Sequence, residues 1–549
     1  QLGDRYDKVV VMRVVKVAEV LIMALACLGF ASHSLLLLLA ALFLMGTHST
    51  FFAPAKYGFL PERLATTELV GGNALLEMGT FIAILGGTIL GGILATGDQL
   101  TAIDMTLLVI AIAGLGASLF IPRGVAVDAQ LVLDWNPWRT ALDNLHAARR
   151  DRTVFLSVLG VSWFWFYGVL VLAQVPLYAH DVLHGTGSAV TVLLTGFSLG
   201  VGMGSLCCER LSGRQLEIGL VPLGSLGLTI FGADLYFSTP THIPTGLGLR
   251  DLIVAPGVAR VLLDVTLIGV MGGLYIVPLY ALMQQRTPTE LISRVISANN
   301  VWNALFMVVA AGFGALLVGR GMPVPAVFLV CAVLNLAVAL FIYAQVPEFL
   351  LRFLAWIIAR VLYRVRVQGL NHIPAKGPAI LVCNHVSFAD ALVLSAAVPR
   401  PMRFVMEAGI FRLPFLGVIF RGMKAIPVAP ASEDRTVREA AFQSIHAALE
   451  AGALVCIFPE GRLTSDGDVG TFRPGILRVL ASQPVPVIPA GLSGLWNSSF
   501  SRQRNGLSRL LPRALWSSIH LHFGAASNGS SLDLEELRQQ VIELRGTRQ

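Results

Sequence analysis

The chain has 549 residues, of which 55% are hydrophobic and 13% charged, with a net charge of +7. A soluble protein carries about 25% charged residues, so these proportions, with a mean hydropathy of +0.72, exclude a wholly soluble enzyme and indicate a membrane protein. Lys and Arg fall mostly between apolar runs, which points to positive-inside loops and anionic lipid and away from nucleic acid as a partner.

The chain opens on Gln1, and Gly3-Asp4-Arg5 reads as a loop between two helices, which predicts earlier spans upstream. Apolar runs long enough to cross a bilayer, about 20 residues, centre on 11–30, 34–53, 70–95, 103–121, 153–178, 187–207, 216–237, 260–283, 293–319 and 323–346. They predict ten visible transmembrane helices. Gly86-Gly87 and Gly91-Gly92 set small residues about one turn apart, which suits close helix contact. The polar connection 122–152 divides the spans into four and six, and two helices upstream would complete six plus six.

Basic residues set the orientation. Alternate loops carry Arg5, Lys8, Arg13 and Lys16; Lys56 and Arg63; Arg123, Arg139, Arg149, Arg150 and Arg152; Arg210 and Arg214; Arg286 and Arg294; then Arg352, Arg360, Arg364 and Arg366. That set is expected in the cytoplasm. An even number of spans then places everything after residue 346 there as well.

Residues 347–366 are amphipathic, and Arg352, Arg360, Arg364 and Arg366 interrupt the apolar run, so a helix lying in the membrane interface is expected. Beyond it, apolar segments at 378–383, 402–406, 424–429, 453–458, 485–489 and 518–523 read as strands. They alternate with helical stretches at 389–397, 435–451, 474–482 and 532–545, which predicts an α/β domain over 367–549. Cys27, Cys207, Cys208, Cys331, Cys383 and Cys456 show neither zinc nor redox spacing and read as reduced thiols; no metal site is expected.

The chemistry concentrates in the α/β part. Asn384-His385-Val386-Ser387-Phe388-Ala389-Asp390 follows an apolar strand, and Asp390 is expected to open the next helix. Across such a turn a carboxylate five positions on can fold back to an imidazole, fix its tautomer and stabilise its charged form. A substrate hydroxyl would then be the nucleophile. Phe458-Pro459-Glu460-Gly461-Arg462 ends a second strand; Gly461 permits an unusual turn and Arg462 offers a fork suited to phosphate. Within the spans, Glu19, Glu77 and Asp264 are costly intramembrane acids and therefore transport candidates, with a structural pairing as the other reading.

The His-x4-Asp block, the Phe-Pro-Glu-Gly block and the strand Val485-Pro486-Val487-Ile488-Pro489-Ala490, in that order, resemble the glycerolipid acyltransferase family over roughly 350–525. The resemblance implies His385 as general base, Asp390 as its orienter, and Glu460, Gly461 and Arg462 near the acceptor's phosphate. It also implies an acyl thioester, of acyl carrier protein or coenzyme A, as co-substrate and no other cofactor. Two departures stand out. Arg462 directly follows Gly461, where the family often has Glu-Gly-Thr-Arg. The block Gly422-Met423-Lys424-Ala425-Ile426-Pro427 lacks the family's terminal Arg, for which Lys424 is the candidate replacement.

Gly3-Asp4-Arg5-Tyr6-Asp7-Lys8 resembles the loop motif of the major facilitator superfamily. Phe51–Glu62, Glu77-Met78-Gly79-Thr80 and Cys208–Gly213 look like the bacterial lysophospholipid transporters of that superfamily, which occur fused to acyltransferases of the 2-acylglycerophosphoethanolamine type. The expected plan is therefore a multi-span α-helical transporter domain at 1–346, a linker helix at 347–366 and an acyltransferase domain at 367–549. The implied partners are membrane phospholipid and lysophospholipid. The expected function is movement of lysophosphatidylethanolamine to the cytoplasmic leaflet of a bacterial inner membrane and re-acylation of its free hydroxyl. Two alternatives stay open: a lysophosphatidate acyltransferase joined to an unrelated carrier, and a transporter with a non-catalytic lipid-sensing domain.

Overall fold

A computed structural model describes residues 2–546 of the chain apart from 96–99, 125, 127, 135, 186, 213–215, 241–248, 346–352, 355, 358–362, 375–376, 399, 401, 413–416, 418–419, 422–423, 429–434, 497 and 499–517. It divides into two compact units, Gln1–Ile342 and Tyr343–Gln549.

Among the described residues of the first unit, ten helices are long and apolar enough to cross a membrane. They are Lys8–Ala31, Leu35–Arg63, Leu69–Ala95, Leu100–Leu119, Arg152–Leu172, Gly187–Leu211, Leu220–Phe237, Val258–Arg286, Ile292–Gly319 and Val324–Gln345. Each expected span corresponds to one of them. With no water to satisfy the backbone in hydrocarbon, the internal hydrogen bonds of a helix do so.

Two features differ from the sequence reading. The connection 122–152 contains a helix, Pro137–Arg149, capped by Asn136, whose side chain accepts the Trp138 and Arg139 backbone N–H groups at 3.1 and 3.2 Å. Close helix contact occurs at other glycines than those expected. A Cβ at Gly86, Gly87, Gly91 or Gly92 would meet nothing within 4 Å. A Cβ at Gly204 would collide with the Val270 carbonyl, and one at Gly269 with the Phe197 carbonyl. Small residues thus bring Gly187–Leu211 and Val258–Arg286 together backbone to backbone.

The second unit is built on a seven-stranded sheet: β1 Arg364–Gln368, β2 Ala379–Cys383, β3 Met402–Glu407, β4 Ile426–Val428, β5 Leu454–Ile457, β6 Val487–Ser493 and β7 Ser518–Phe523. The order is β1-β7-β6-β2-β5-β3-β4, and every pairing is parallel except β6 with β7. Alternation of side chains along β2 divides the core. Leu381 and Cys383 face one apolar layer with Phe404 and Leu394, while Ile380 and Val382 face another with Ile445 and Val541. Among the described residues, helices Asp390–Ala397, Arg435–Glu450, Gly475–Ser482 and Leu534–Arg545 accompany the sheet. All six cysteines are free thiols.

Strand β1 corrects the expectation of a helix through residue 366. Arg364-Val365-Arg366-Val367-Gln368 alternates exposed and half-buried side chains and pairs with β7 from Arg364↔Ser518 to Gln368↔His522. Most of the expected linker helix, with Arg352 and Arg360, lies outside the described residues, as do Gly213, Arg214, Gly422 and Met423.

Candidate functional site

Because β2 and β5 are parallel neighbours with Val382 paired to Ile457, the loops that leave their C-terminal ends emerge side by side. The chain order reverses direction around β2, with β5 on one side and β6 on the other. Open α/β sheets bind ligands at the carboxyl ends of strands at such a switch point. His385 and Asp390 follow β2, and Phe458–Arg462 follow β5.

The two catalytic candidates are brought into contact. His385 Nδ1 lies 2.8 Å from Asp390 Oδ2. The same oxygen accepts the Val386 and Ser387 N–H groups at 2.6 and 2.9 Å, and Asp390 is fully buried. An ionised carboxylate can only accept hydrogen bonds. Opposite an ionised Asp390 it is Nδ1–H that donates, and in the neutral ring the lone pair then falls on Nε2. The ring stacks on Phe458, with centroids 4.2 Å apart and planes 18° apart, and its side chain keeps 23% exposure. Asn384 ties the start of the loop to β6, donating to the Leu492 carbonyl at 2.9 Å and accepting from the Leu492 N–H at 2.8 Å.

Glu460 is turned inward. Its Oε1 accepts the His385 N–H at 2.9 Å, and its Oε2 accepts the Gly470 N–H at 2.9 Å. Burial pushes its pKa up, and the two backbone N–H groups oppose that shift. With both oxygens occupied by the backbone, Glu460 holds the histidine loop against the 464–470 loop, a role its place beside Gly461 did not reveal. Thr464 N–H adds a bond to the His385 carbonyl at 2.9 Å. Buried and apolar surroundings raise the Cys383 thiol well above its usual value, consistent with a core residue and not a nucleophile.

Gly461 and Arg462 follow Glu460 directly and are exposed. Gly461 has φ +66°, and a Cβ there would press on the Arg473 guanidinium. Arg473, whose N–H donates to the Pro459 carbonyl at 2.9 Å, is a second cation at this turn that sequence reading missed. Its signal was Phe472-Arg473-Pro474-Gly475 opening a helix. The Asp468 N–H and the Thr464 hydroxyl hold the Asp466 carboxyl below its usual range, with the Arg462 charge adding to them.

Lys424 is not brought to the site. It has φ +53° and leads into β4, which is three strands from β2, about 14 Å across the sheet. The pairings Val405↔Ile426 and Phe404↔Cys456 set Ile426 nearly level with Ile457 and Val382. Lys424 thus precedes that level, whereas His385 lies beyond it. Sheet order and register thus set Lys424 apart from His385.

In the first unit, Glu77 is fully buried and its Oε1 accepts the Tyr57 hydroxyl at 2.6 Å. Tyr57 stacks on Tyr280, with centroids 4.5 Å apart. Lys56 Nζ donates to Thr80 Oγ1 at 3.3 Å. Glu19 lies 2.6 Å from Lys16 Nζ and 3.1 Å from His48 Nε2. Asp264 accepts the Ser238 hydroxyl at 2.8 Å near the start of its helix. The three acids thus sit in different side-chain groups.

The membrane unit and the strand-end His-Asp pair define a carrier joined to an acyltransferase domain. Residues 2–311 match the family model of the Major Facilitator Superfamily, and residues 364–493 match the Acyltransferase model. The chain belongs to the major facilitator superfamily and carries a fused acyltransferase domain. Within that superfamily it is similar to the Lysophospholipid transporter LplT of Yersinia pestis (strain Pestoides F), at 30% identity over 336 residues covering 60% of this chain and 75% of the relative. The LplT of Yersinia pseudotuberculosis serotype O:3 (strain YPIII) matches to the same extent. The solved structure of the 1-acyl-sn-glycerophosphate (LPA) acyltransferase PlsC from Thermotoga maritima covers 38% of this chain and 78% of its own at 21% identity, with a TM-score of 0.28, too distant to bear on function.

Proposed function

We propose that this chain moves a lysophospholipid, lysophosphatidylethanolamine, to the cytoplasmic leaflet of a bacterial inner membrane and re-esterifies its free hydroxyl there. The transporter domain would occupy 1–346, with 347–366 as linker and 367–549 as the acyltransferase domain facing the cytoplasm. The name of the relatives supports lysophospholipid as cargo. The observation that carries the enzymatic half is the 2.8 Å contact between His385 Nδ1 and Asp390 Oδ2.

In this reading Nε2 of His385 takes the proton of the lysolipid hydroxyl as its oxygen attacks the thioester carbonyl. The tetrahedral intermediate collapses, the carbon–sulfur bond breaks, and the imidazolium returns the proton to the departing thiolate. Asp390 stabilises the transient positive ring. Phe458 limits its rotation, and Glu460 fixes the loop that bears it. Gly461 and Arg462 present a turn and a cation to the phosphate of the acceptor.

The test is purified protein with labelled lysolipids of several head groups and thioesters of both acyl carrier protein and coenzyme A. His385→Ala should lower acyl transfer about 100- to 10,000-fold while lysolipid transport persists. Transfer near the wild-type rate in that variant would remove His385 as the base.

A further inference from the structure

We propose that the C-terminal helix Leu534–Arg545 belongs to the catalytic assembly, with Arg538 as a positioning residue that acts on His385 through Gly470 and Glu460. This rests on the reading of His385 as the base. Four hydrogen bonds make the connection. Arg538 Nε donates to the Gly470 carbonyl at 3.0 Å, and its Nη2 donates to the Val469 carbonyl at 3.2 Å. The N–H of that same Gly470 donates to Glu460 Oε2 at 2.9 Å. The other oxygen of Glu460 accepts the His385 N–H at 2.9 Å. Gly470 is thus held from both sides, by a guanidinium on its carbonyl and a carboxylate on its amide.

The rest of the loop is fastened to the same helix. Arg545 Nη1 donates to the Gly467 carbonyl at 2.8 Å, and both its Nη1 and Nη2 lie 3.0 Å from Asp468 Oδ1. Thr464 Oγ1 donates within the loop to the Asp468 carbonyl at 2.9 Å, and its backbone N–H donates to the His385 carbonyl at 2.9 Å. The helix is a firm base for these arms. Leu537 and Val541 are buried in the same apolar layer as Ile380 and Val382 of β2. Gly491 of β6 meets the Leu544–Arg545 backbone so closely that a Cβ there would collide with it. Arg538 itself is oriented by Glu535, whose Oε1 accepts from Nη1 at 2.7 Å.

The physical consequence is that Glu460 keeps both acceptor positions filled only while the 464–470 loop stays in place. That loop has no regular secondary structure and turns through a positive φ at Gly467, +93°. Its carbonyls would otherwise be satisfied by water, and Gly470 would be free to withdraw its N–H. Displacing a reacting group by about 1 Å can cost about a hundredfold in rate, so a remote arginine can control the histidine without touching substrate.

The experiment measures kcat and KM for acyl transfer by the full chain in detergent, for the wild type, His385→Ala, Arg538→Ala, Arg538→Lys, Glu460→Gln and the double variant Glu460→Gln/Arg538→Ala. Arg538→Ala should lower kcat about ten- to hundredfold, leave both KM values within about twofold, and speed amide hydrogen exchange across 464–470. Arg538→Lys keeps the charge but cannot fork across two carbonyls, and should fall between the wild type and alanine. The double variant should lose no more than the worse single variant, because both substitutions cut one connection. Losses that multiply would overturn the proposal, as would wild-type kcat in a folded Arg538→Ala. If the alanine variant does not fold, wild-type kcat in Arg538→Lys overturns it instead. Full activity in His385→Ala is a separate outcome that sinks the reading of the site itself.

Discussion

Asp390 Oδ2 is a shared acceptor for His385 Nδ1, 2.8 Å away, and for the two N–H groups of the intervening Val386 and Ser387. One oxygen therefore closes the turn and orients the ring it serves. Asp390→Asn should damage both. An amide presents either an uncharged oxygen or an NH2 group to this pocket, and neither stabilises an imidazolium as a carboxylate does. Acyl transfer is expected to fall about 100- to 10,000-fold, with the loss in kcat. Kinetics in detergent would decide it, and a variant within a few-fold of wild type would leave Asp390 a purely structural cap.

The His-Asp contact was legible because it is local: five residues across one strand-to-helix turn. The strands of the second unit were legible for a similar reason, since each apolar run is bounded by Gly, Pro or polar residues. β1 was not. Its Arg364-Val365-Arg366-Val367-Gln368 pattern follows an arginine-interrupted apolar stretch and merges with it in helical register. What makes it a strand is β7, some 150 residues later. Glu460 shows the same limit, because its two hydrogen bonds go to residues 75 earlier and 10 later. Lys424 stands in the block where the resemblance puts a cation, but what sets its place is the register of β4 against β3, a pairing between distant segments. The tight glycines at 200, 204, 269 and 273 could not be told from Gly86 and Gly91 by spacing, because packing depends on which helix faces which.

Arg462 tests the acceptor side. It is exposed beside Gly461, where a guanidinium can meet a phosphate without first breaking a buried bond. Loss of a charge-assisted hydrogen bond is worth about 1.5–3 kcal/mol. Arg462→Ala should therefore raise KM for lysolipid roughly ten- to hundredfold, with the KM for thioester little changed. Steady-state titration of each substrate separates the two. An unchanged lysolipid KM would assign the phosphate to other groups, with Arg473 the first to examine.

The uneven distribution of Lys and Arg predicts the orientation. A reporter fused after residue 549 should be active only in its cytoplasmic form, and single cysteines introduced near Gly97 and Gly321 should label from the periplasm in intact cells. The opposite labelling would invert the topology and place the two proposed activities on different sides of the membrane.

Glu77 bears on transport. A carboxylate with no exposed surface in the middle of a membrane helix is unfavourable unless partners hold it, and the Tyr57 hydroxyl provides one at 2.6 Å. Tyr57 also joins two helices, stacking on Tyr280 and accepting at its carbonyl from Gln284 Nε2 at 3.0 Å. Gln284 in turn exchanges hydrogen bonds with Asn73, four residues before Glu77 and one helical turn away. The acid thus lies at a junction between Leu35–Arg63, Leu69–Ala95 and Val258–Arg286, where relative movement of helices would have to break or keep the Tyr57 bond. Glu77→Gln preserves shape but weakens that bond and removes the ionisable group. Lysolipid uptake into vesicles is expected to slow roughly tenfold, the order of one lost hydrogen bond, while acyl transfer in detergent stays at the wild-type rate. Normal uptake by a correctly inserted variant would make Glu77 a packing residue, and parallel loss of both activities would show that the substitution had damaged the fold.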